Sequence, residues 1–214
     1  MVQYSRAEDR LNSWSHAVGT IIATAVGSLF LSIAVRSGSP RAILAVALYF
    51  AGMMSCYVSS TMYHSAPQDS SLRKSLRRWD HAAIYWYIAG SYTPFCLIAM
   101  RPEPFWAYSI LTFVWASAII GTYMSFFHLK DHSYIETICY VLMGLSVLVA
   151  VKPLMRCIDI TTFLWLIAEG VFYVTGAVIF AISPNRQYMH SIFHFFVLGG
   201  TICQMVCIWR VLTV

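Results

Sequence analysis

Long apolar stretches alternate with short polar connections along the whole of this 214-residue sequence. Four of the stretches contain no charged residue, and three more are interrupted only by an isolated glutamate or by a pair of histidines. Because an α-helix rises about 1.5 Å per residue, about 20 apolar residues are enough to cross the hydrocarbon core of a bilayer. The pattern predicts an all-α membrane protein, a single domain over residues 1–214 that forms a seven-transmembrane helix bundle with spans at about 17–35, 42–64, 81–100, 105–127, 133–151, 160–183 and 187–209.

The composition supports the same class of protein. Hydrophobic residues make up 59% of the chain and charged residues only 11%, which is far from the balance of a soluble domain. The net charge of +5 suits an anionic membrane surface and gives no reason to expect nucleic-acid binding. We therefore expect membrane lipids as partners, whereas the sequence leaves the oligomeric state open.

The distribution of lysine and arginine over the connections predicts the orientation. Eight of the 14 basic residues lie on the side of the N-terminus and six on the opposite side. Basic connections are retained in the cytoplasm, so the count predicts a cytoplasmic N-terminus and an external C-terminus. The difference depends on one cluster at residues 73–78, which could alternatively contact anionic lipid head groups.

Histidines in the apolar stretches are candidates for function because an imidazole is costly inside a bilayer. His190 and His194 are four residues apart, so both rings lie on one helix face and can reach one metal ion. His64 ends the second predicted span, and Asp80 begins the third. Since successive spans alternate in direction, these four side chains are predicted to lie at one face of the membrane.

The donor set of His64, His190 and His194 fits zinc. Three imidazoles leave a fourth tetrahedral position open for water, whose pKa zinc lowers to about 7. Asp80 could accept the proton of that water, and Ser60, one helical turn before His64, could stabilise an oxyanion. Simpler roles remain open, because a lone histidine can bond a neighbouring helix and Asp80 can cap the third span.

Two other sets of polar residues invite an interpretation. Glu8, Asn12 and His16 recur every four residues and form one stripe on a helix that leads into the first span. We interpret the stripe as a hydrogen-bond network that braces the bundle, with a lining of the metal cavity as the alternative. Glu169 lies in the middle of the sixth span and is expected to be paired, with a proton relay as the alternative.

The remaining histidines are less suited to hold a metal. His128 and His132 are also four residues apart, but they lie in a charged connection, and a loop is a poor preorganised ligand set. His81 follows Asp80 directly and points about 100° away around the helix, so it is predicted to be interfacial. The six cysteines are scattered and are expected to be reduced thiols.

Taken together, the motifs resemble the hemolysin III family, the bacterial relatives of the progestin and adipoQ receptors, which include the adiponectin receptors. The resemblance extends over the whole chain and is carried, in order, by Glu8-x3-Asn12-x3-His16-x2-Gly19, Ser60-x3-His64, Asp80 sixteen residues later, and His190-x3-His194.

This resemblance implies a seven-helix bundle with a cytoplasmic N-terminus in the bacterial inner (plasma) membrane. It also implies zinc bound by His64, His190 and His194, with Ser60 and Asp80 beside the metal. In the receptor branch and in related alkaline ceramidases, such a site is associated with hydrolysis of the ceramide amide.

The leading functional hypothesis is accordingly a zinc-dependent hydrolase that uses a metal-activated water to cleave a lipid amide or ester. The first alternative is a non-enzymatic regulator of membrane state in which a structural zinc braces the helices. The second is a hemolysin-type permeability factor, although the spans contain almost none of the charged residues that would line a pore.

Overall fold

The computed structural model describes residues 4–128, 134–182 and 186–213, and nearly all of them are helical. The α-helices are α1 (Arg6–Arg36), α2 (Pro40–Ser65), α3 (Ser71–Pro94), α4 (Pro104–Phe127), α5 (Tyr134–Gly144), α6 (Val151–Cys157), α7 (Ile160–Ile182) and α8 (Met189–Thr213). Helix α2 packs between α1 and α3, α4 packs against α3, and α8 contacts both α1 and α7.

Within the described ranges, six helical segments are long and apolar enough to cross a membrane: Arg6–Arg36, Pro40–Ser65, Pro104–Phe127, Tyr134–Cys157, Ile160–Ile182 and Met189–Thr213. They establish an all-α membrane protein. Helix α3 is not among them because its first turns contain the basic cluster at residues 73–78 and Asp80. The seven-span count and the orientation therefore stay predictions.

Two helices begin earlier than their apolar stretches do. Helix α1 starts eleven residues before the predicted residue 17, because Ser5 and Glu8 form a capping box in which each side chain accepts a hydrogen bond from the other residue's backbone N–H. Helix α3 starts ten residues before the predicted residue 81, because the Ser70 hydroxyl accepts a hydrogen bond from the backbone N–H of Arg73 at 3.1 Å. The polar residues that precede both spans are thus helical.

Helices α2 and α3 cross closely because glycine occupies the contact. A Cβ atom on Gly52 would lie 2.6 Å from the backbone oxygen of Trp86, and one on Gly90 would lie 2.8 Å from that of Leu48. Both distances are shorter than any real carbon–oxygen contact, so the close approach requires glycine at both positions. Buried hydrophobic side chains, including Tyr49, Met53 and Ala89, form the core beside the crossing.

Two helices lose their α-helical geometry along their length. A π-helical turn, Phe95–Ala99, follows Pro94 and continues α3, while a 3-10 segment, Leu145–Ala150, separates α5 from α6. The predicted fifth span, 133–151, is therefore an interrupted helix, and its first residue and the predicted end of the sixth span at residue 183 lie outside the described residues. The Tyr92 hydroxyl, in the last turn of α3, contacts the start of the 3-10 segment, since it donates to the Gly144 oxygen and accepts from the Val147 N–H.

At the opposite end of the bundle from α2's last turn, Asp159 ties the start of α7 to the end of α8. Its carboxylate accepts hydrogen bonds from the Thr161 and Thr162 N–H groups at 2.8 and 3.0 Å and an ion pair from Arg210 at 2.9 Å. The hydrogen bonds from Thr162 have the largest effect on the carboxylate and the ion pair with Arg210 a smaller one, and they hold the pKa of Asp159 well below its usual range.

Replacement of Asp159 by asparagine is expected to lower the melting temperature at neutral pH. Because the folded-state pKa lies well below the unfolded value of about 4, the stabilisation is complete above about pH 4 and is lost only as the pH falls from there toward the folded-state pKa. The melting temperatures of wild-type protein and Asp159→Asn should therefore differ by a nearly constant amount from about pH 7 to about pH 5 and by progressively less below about pH 4. A difference that has already vanished at about pH 5, or that does not shrink below about pH 4, would contradict the assignment.

Candidate metal centre

Three imidazole rings converge where the end of α2 meets the start of α8. The Nε2 atom of His190 lies 3.1 Å from Nε2 of His64 and 3.0 Å from Nε2 of His194. The candidate ligand atoms of the three residues all lie within 4.8 Å of one another, and His64 and His194 are almost completely buried. The structure thus brings together the three histidines that the sequence singled out, and this cluster could hold a metal ion.

Hydrogen bonds on the outer nitrogens determine which atoms of two rings face the centre. Nδ1 of His64 lies 3.1 Å from the Asp9 carboxylate, which only accepts, so this nitrogen carries the proton. The Ser15 hydroxyl donates to the Asn12 backbone oxygen at 2.8 Å and therefore accepts from Nδ1 of His194 at 3.0 Å. Since a neutral imidazole has a single N–H, both rings present an unprotonated Nε2 lone pair to the centre.

The inward-facing lone pairs of His64 and His194 cannot hydrogen-bond to each other, whereas both can bind a cation. His190 can donate one proton from Nε2, which could satisfy one of the two neighbouring lone pairs but not both. Three nitrogens that bind one tetrahedral zinc at about 2.0–2.1 Å lie about 3.3 Å apart, close to the observed separations. The residues present therefore fit a metal held by three Nε2 atoms.

Asp9 is the functional residue that the sequence analysis missed. Its Oδ1 atom contacts His64 and accepts an ion-paired hydrogen bond from Arg73 at 2.7 Å, while Oδ2 accepts from the Gln68 amide at 2.9 Å. Arg73 is 1% exposed and also donates to the Ala66 backbone oxygen. A carboxylate fixed in this way orients the imidazole behind it and raises its basicity as a ligand.

The stripe on α1 contacts α8 at two of its three positions and the residue that precedes α8 at the third. Glu8 accepts a hydrogen bond from the Tyr188 N–H at 2.6 Å, and Asn12 accepts one from the Ser191 hydroxyl at 2.5 Å. The His16 ring stacks on His194 with centroids 3.7 Å apart, and both of its nitrogens are buried without a hydrogen-bond partner among the described residues. The stripe therefore braces the histidine cluster, and His16 also lines the adjoining cavity.

An elongated cavity of about 610 Å³ begins at the histidine cluster and continues between α3, α5, α7 and α8. Its wall includes His190, His194, Ser60 and Asp80, so the two predicted catalytic residues face the same space as the cluster. Ser60 is buried and lies within hydrogen-bonding reach of the Asp80 carboxylate. The rest of the wall is mostly apolar.

Tyr4 covers the cluster from the N-terminal side. Its ring stacks on His190 with centroids 4.9 Å apart and tilts against His64 at 5.5 Å. Burial raises the pKa of the Tyr4 hydroxyl, so the ring stays uncharged beside the cavity. This residue precedes α1 and gave no recognisable signal in the sequence.

The other polar candidates lie elsewhere. The Nδ1 atom of His81 contacts the buried Glu136 carboxylate at 2.7 Å, and both residues line the cavity, while the interfacial position of His81 stays a prediction. His128 follows α4 and contacts Tyr123, whereas His132 lies outside the described residues. Glu169 has the partner that was expected, since the Gln204 amide donates to its Oε1 atom at 2.8 Å.

Fold and site define an all-α membrane protein whose helices enclose a buried three-histidine cluster able to hold a metal. The family model described as Haemolysin-III related matches residues 4–205. Hemolysin-3 of Bacillus cereus is 33% identical over 208 residues, which cover 97% of this chain and 93% of that protein. The chain therefore belongs to the hemolysin III family.

Two further relatives extend the comparison. A hemolysin-3 homolog of Bacillus subtilis (strain 168) is 31% identical over 201 residues, which cover 94% of this chain and 92% of the relative. The monocyte to macrophage differentiation factor of Homo sapiens is 25% identical over 169 residues, which cover 77% and 69% of the two chains. The second match supports the predicted kinship with mammalian relatives of the progestin and adipoQ receptor type.

Replacement of Asp9 by asparagine is expected to weaken metal binding about 10- to 100-fold, because loss of the carboxylate removes the group that orients His64. The measurement is a zinc competition titration against a chromophoric chelator with purified protein. Asp69→Asn, an exposed carboxylate near the same end of the bundle, is the matched control and should leave affinity unchanged. Equal affinities of Asp9→Asn and wild type would refute the role of Asp9.

Proposed function

We propose that the cluster of His64, His190 and His194 binds zinc and that the protein is a metal-dependent hydrolase acting on a lipid amide or ester. The observation that carries the proposal is the convergence of three imidazole Nε2 atoms beside a cavity, with the outer nitrogens of His64 and His194 engaged by Asp9 and Ser15. Three imidazoles leave one position of a tetrahedral ion open, a feature of catalytic zinc sites.

Bound zinc would supply Lewis acidity and lower the pKa of a coordinated water to about 7. Asp80 faces the same space and would accept the proton of the attacking water, then return it to the leaving group. Ser60 would turn its hydroxyl from Asp80, once that carboxyl is protonated, and donate a hydrogen bond to the carbonyl oxygen as negative charge develops there. Asp9 would hold His64 in position through both steps.

The shape and polarity of the cavity support a lipid as the substrate. Its volume of about 610 Å³ is in the range of pockets that enclose small-molecule ligands. Polar groups lie at the histidine end, and apolar side chains such as Ile84, Ile88 and Val197 form much of the remaining wall. An acyl chain would occupy the apolar part while its carbonyl lies beside Ser60 and Asp80.

The membrane topology belongs to the same proposal. Helix α3, extended by the π turn to Ala99, packs between α2 and α4 and would form the additional span of a seven-helix bundle. The N-terminus and the histidine cluster would then face the cytoplasm and the C-terminus the exterior, in the bacterial inner (plasma) membrane. The basic cluster at residues 73–78 would lie on the cytoplasmic side.

Purified protein is expected to contain about one equivalent of zinc and to release free acid from a ceramide-like amide or another acyl lipid. Ser60→Ala should keep the metal and lose about 10²- to 10³-fold in turnover, and Asp80→Asn should lose about 10²- to 10⁴-fold. His194→Ala should lose the metal itself. Metal content by elemental analysis and product release by mass spectrometry test these expectations together.

A different set of results would favour a structural metal. The histidines and their supporting residues join α1, α2 and α8, so a bound ion could stabilise the packing of these helices without any reaction. In that event chelation would lower the melting temperature, a broad panel of lipids would stay intact, and Ser60→Ala would have no effect. Zinc retention without turnover on any lipid amide or ester would overturn the hydrolase assignment.

A further inference from the structure

A second polar site lies deep in the cavity, far from the histidines. Glu169 on α7 and Gln204 on α8 both line the cavity and are 9% and 2% exposed. The Gln204 amide nitrogen donates to Oε1 of Glu169 at 2.8 Å. Oε2 of Glu169 and Oε1 of Gln204 are buried and have no hydrogen-bond partner among the described residues. Burial of two polar oxygen atoms costs free energy unless a hydrogen-bond donor binds them.

No neighbouring polar group among the described residues bonds to either oxygen, and the Tyr49 hydroxyl in the same region is itself buried without a hydrogen-bond partner. Hydroxyl groups of Tyr57, Tyr87 and Tyr173 surround the Thr201 hydroxyl at 2.6, 2.8 and 3.1 Å and are engaged with it or with one another. Among the described residues, no lysine, arginine or histidine pairs with Glu169. The Glu169–Gln204 pair is thus an incomplete polar site within an apolar membrane-spanning region.

The distance from the metal centre follows from helix geometry. Gln204 is ten residues after His194 on the same helix, which corresponds to about 15 Å along the axis. Val197 on α8 and Val174 on α7 belong to the cavity wall between the two sites. Contact with this apolar part of the wall would not stabilise a bare ion, whereas a hydrocarbon chain would be stabilised there by burial of its apolar surface.

We propose that the Glu169–Gln204 pair is a binding site for a hydroxyl group carried on the chain of a lipid whose polar head lies at the histidine cluster. A hydroxyl is both donor and acceptor, so it suits the pair in either protonation state of the carboxyl. It donates to an ionised Glu169, or it accepts from a protonated Glu169 and donates to Gln204. An extended chain needs about twelve carbons to cover about 15 Å of helix axis.

This inference rests on the proposed function only for the placement of the lipid head, and its test measures binding rather than turnover. The probes are three octadecanamides, with a hydroxyl near the twelfth carbon, with a hydroxyl on the third carbon, and without a hydroxyl. Wild-type protein in detergent micelles is expected to bind the first about fivefold more tightly than the other two, the value of one additional hydrogen bond.

Variants locate the preference in the structure. Glu169→Leu and Gln204→Leu should bind the three probes equally, and Glu169→Gln, which keeps hydrogen-bonding capacity, should retain part of the difference. Glu103→Gln, which removes a carboxylate that pairs with Arg156 outside the cavity, should retain all of it. If the leucine variants do not fold, the affinities of wild-type protein for the three probes still test the hydroxyl site.

The outcomes separate this inference from the hydrolase assignment. Equal affinity of wild type for all three probes would overturn the hydroxyl site and indicate that an ordered water satisfies the two oxygens. A preference that persists in His194→Ala would support the site even if the protein neither retains zinc nor hydrolyses lipids. Retention of zinc together with equal probe binding would refute the hydroxyl site alone.

Discussion

The direction of two imidazole lone pairs is the constraint on which the rest of this site depends. Asp9 fixes the tautomer of His64, and Ser15 fixes that of His194 through its own bond to the Asn12 backbone. Both groups lie on α1, whereas the rings they orient lie on α2 and α8. The first helix therefore orients the histidines of the other two helices, although none of the three members of the cluster lies on it.

The polar groups that enforce this arrangement are themselves buried, so each depends on its neighbours. Arg73 pairs with Asp9, donates to the Ala66 oxygen and lies 4.7 Å from the centre of the Tyr63 ring. Removal of one partner from such a pair leaves an unpaired charge in a low-dielectric environment, which costs far more than the pair contributes. Arg73 thus holds the connection between α2 and α3 in place and also pairs with the carboxylate that contacts His64. A change that disrupts this ion pair would therefore affect both the fold at this end of the bundle and the histidine cluster.

Sequence patterns predicted the parts of the molecule that depend on hydropathy and on helical spacing. Apolar length gave the membrane class, and the four-residue spacing of His190 and His194 gave the histidine cluster. The pattern failed at the starts of α1 and α3, where caps at Ser5 and Ser70 begin the helices in polar segments that precede the apolar stretches. Asp9 escaped notice because its partners, His64 and Arg73, are 55 and 64 residues away. In retrospect, its position three residues before Asn12 on a polar helix face was the available signal.

The irregular helices are explained by the cavity beside them. Non-helical backbone is tolerated at membrane depth only where protein or a cavity shields it, and Tyr92 shields the 3-10 segment by bonding Gly144 and Val147. Helix α7 packs chiefly against α8 and only slightly against α5, although both α5 and α7 form the cavity wall. In water such a loosely packed wall would expose apolar surface, but in a bilayer the lipid chains cover it at little cost. The membrane thus permits a cavity whose wall has few contacts between α5 and α7, and a soluble bundle with the same contacts would close that space.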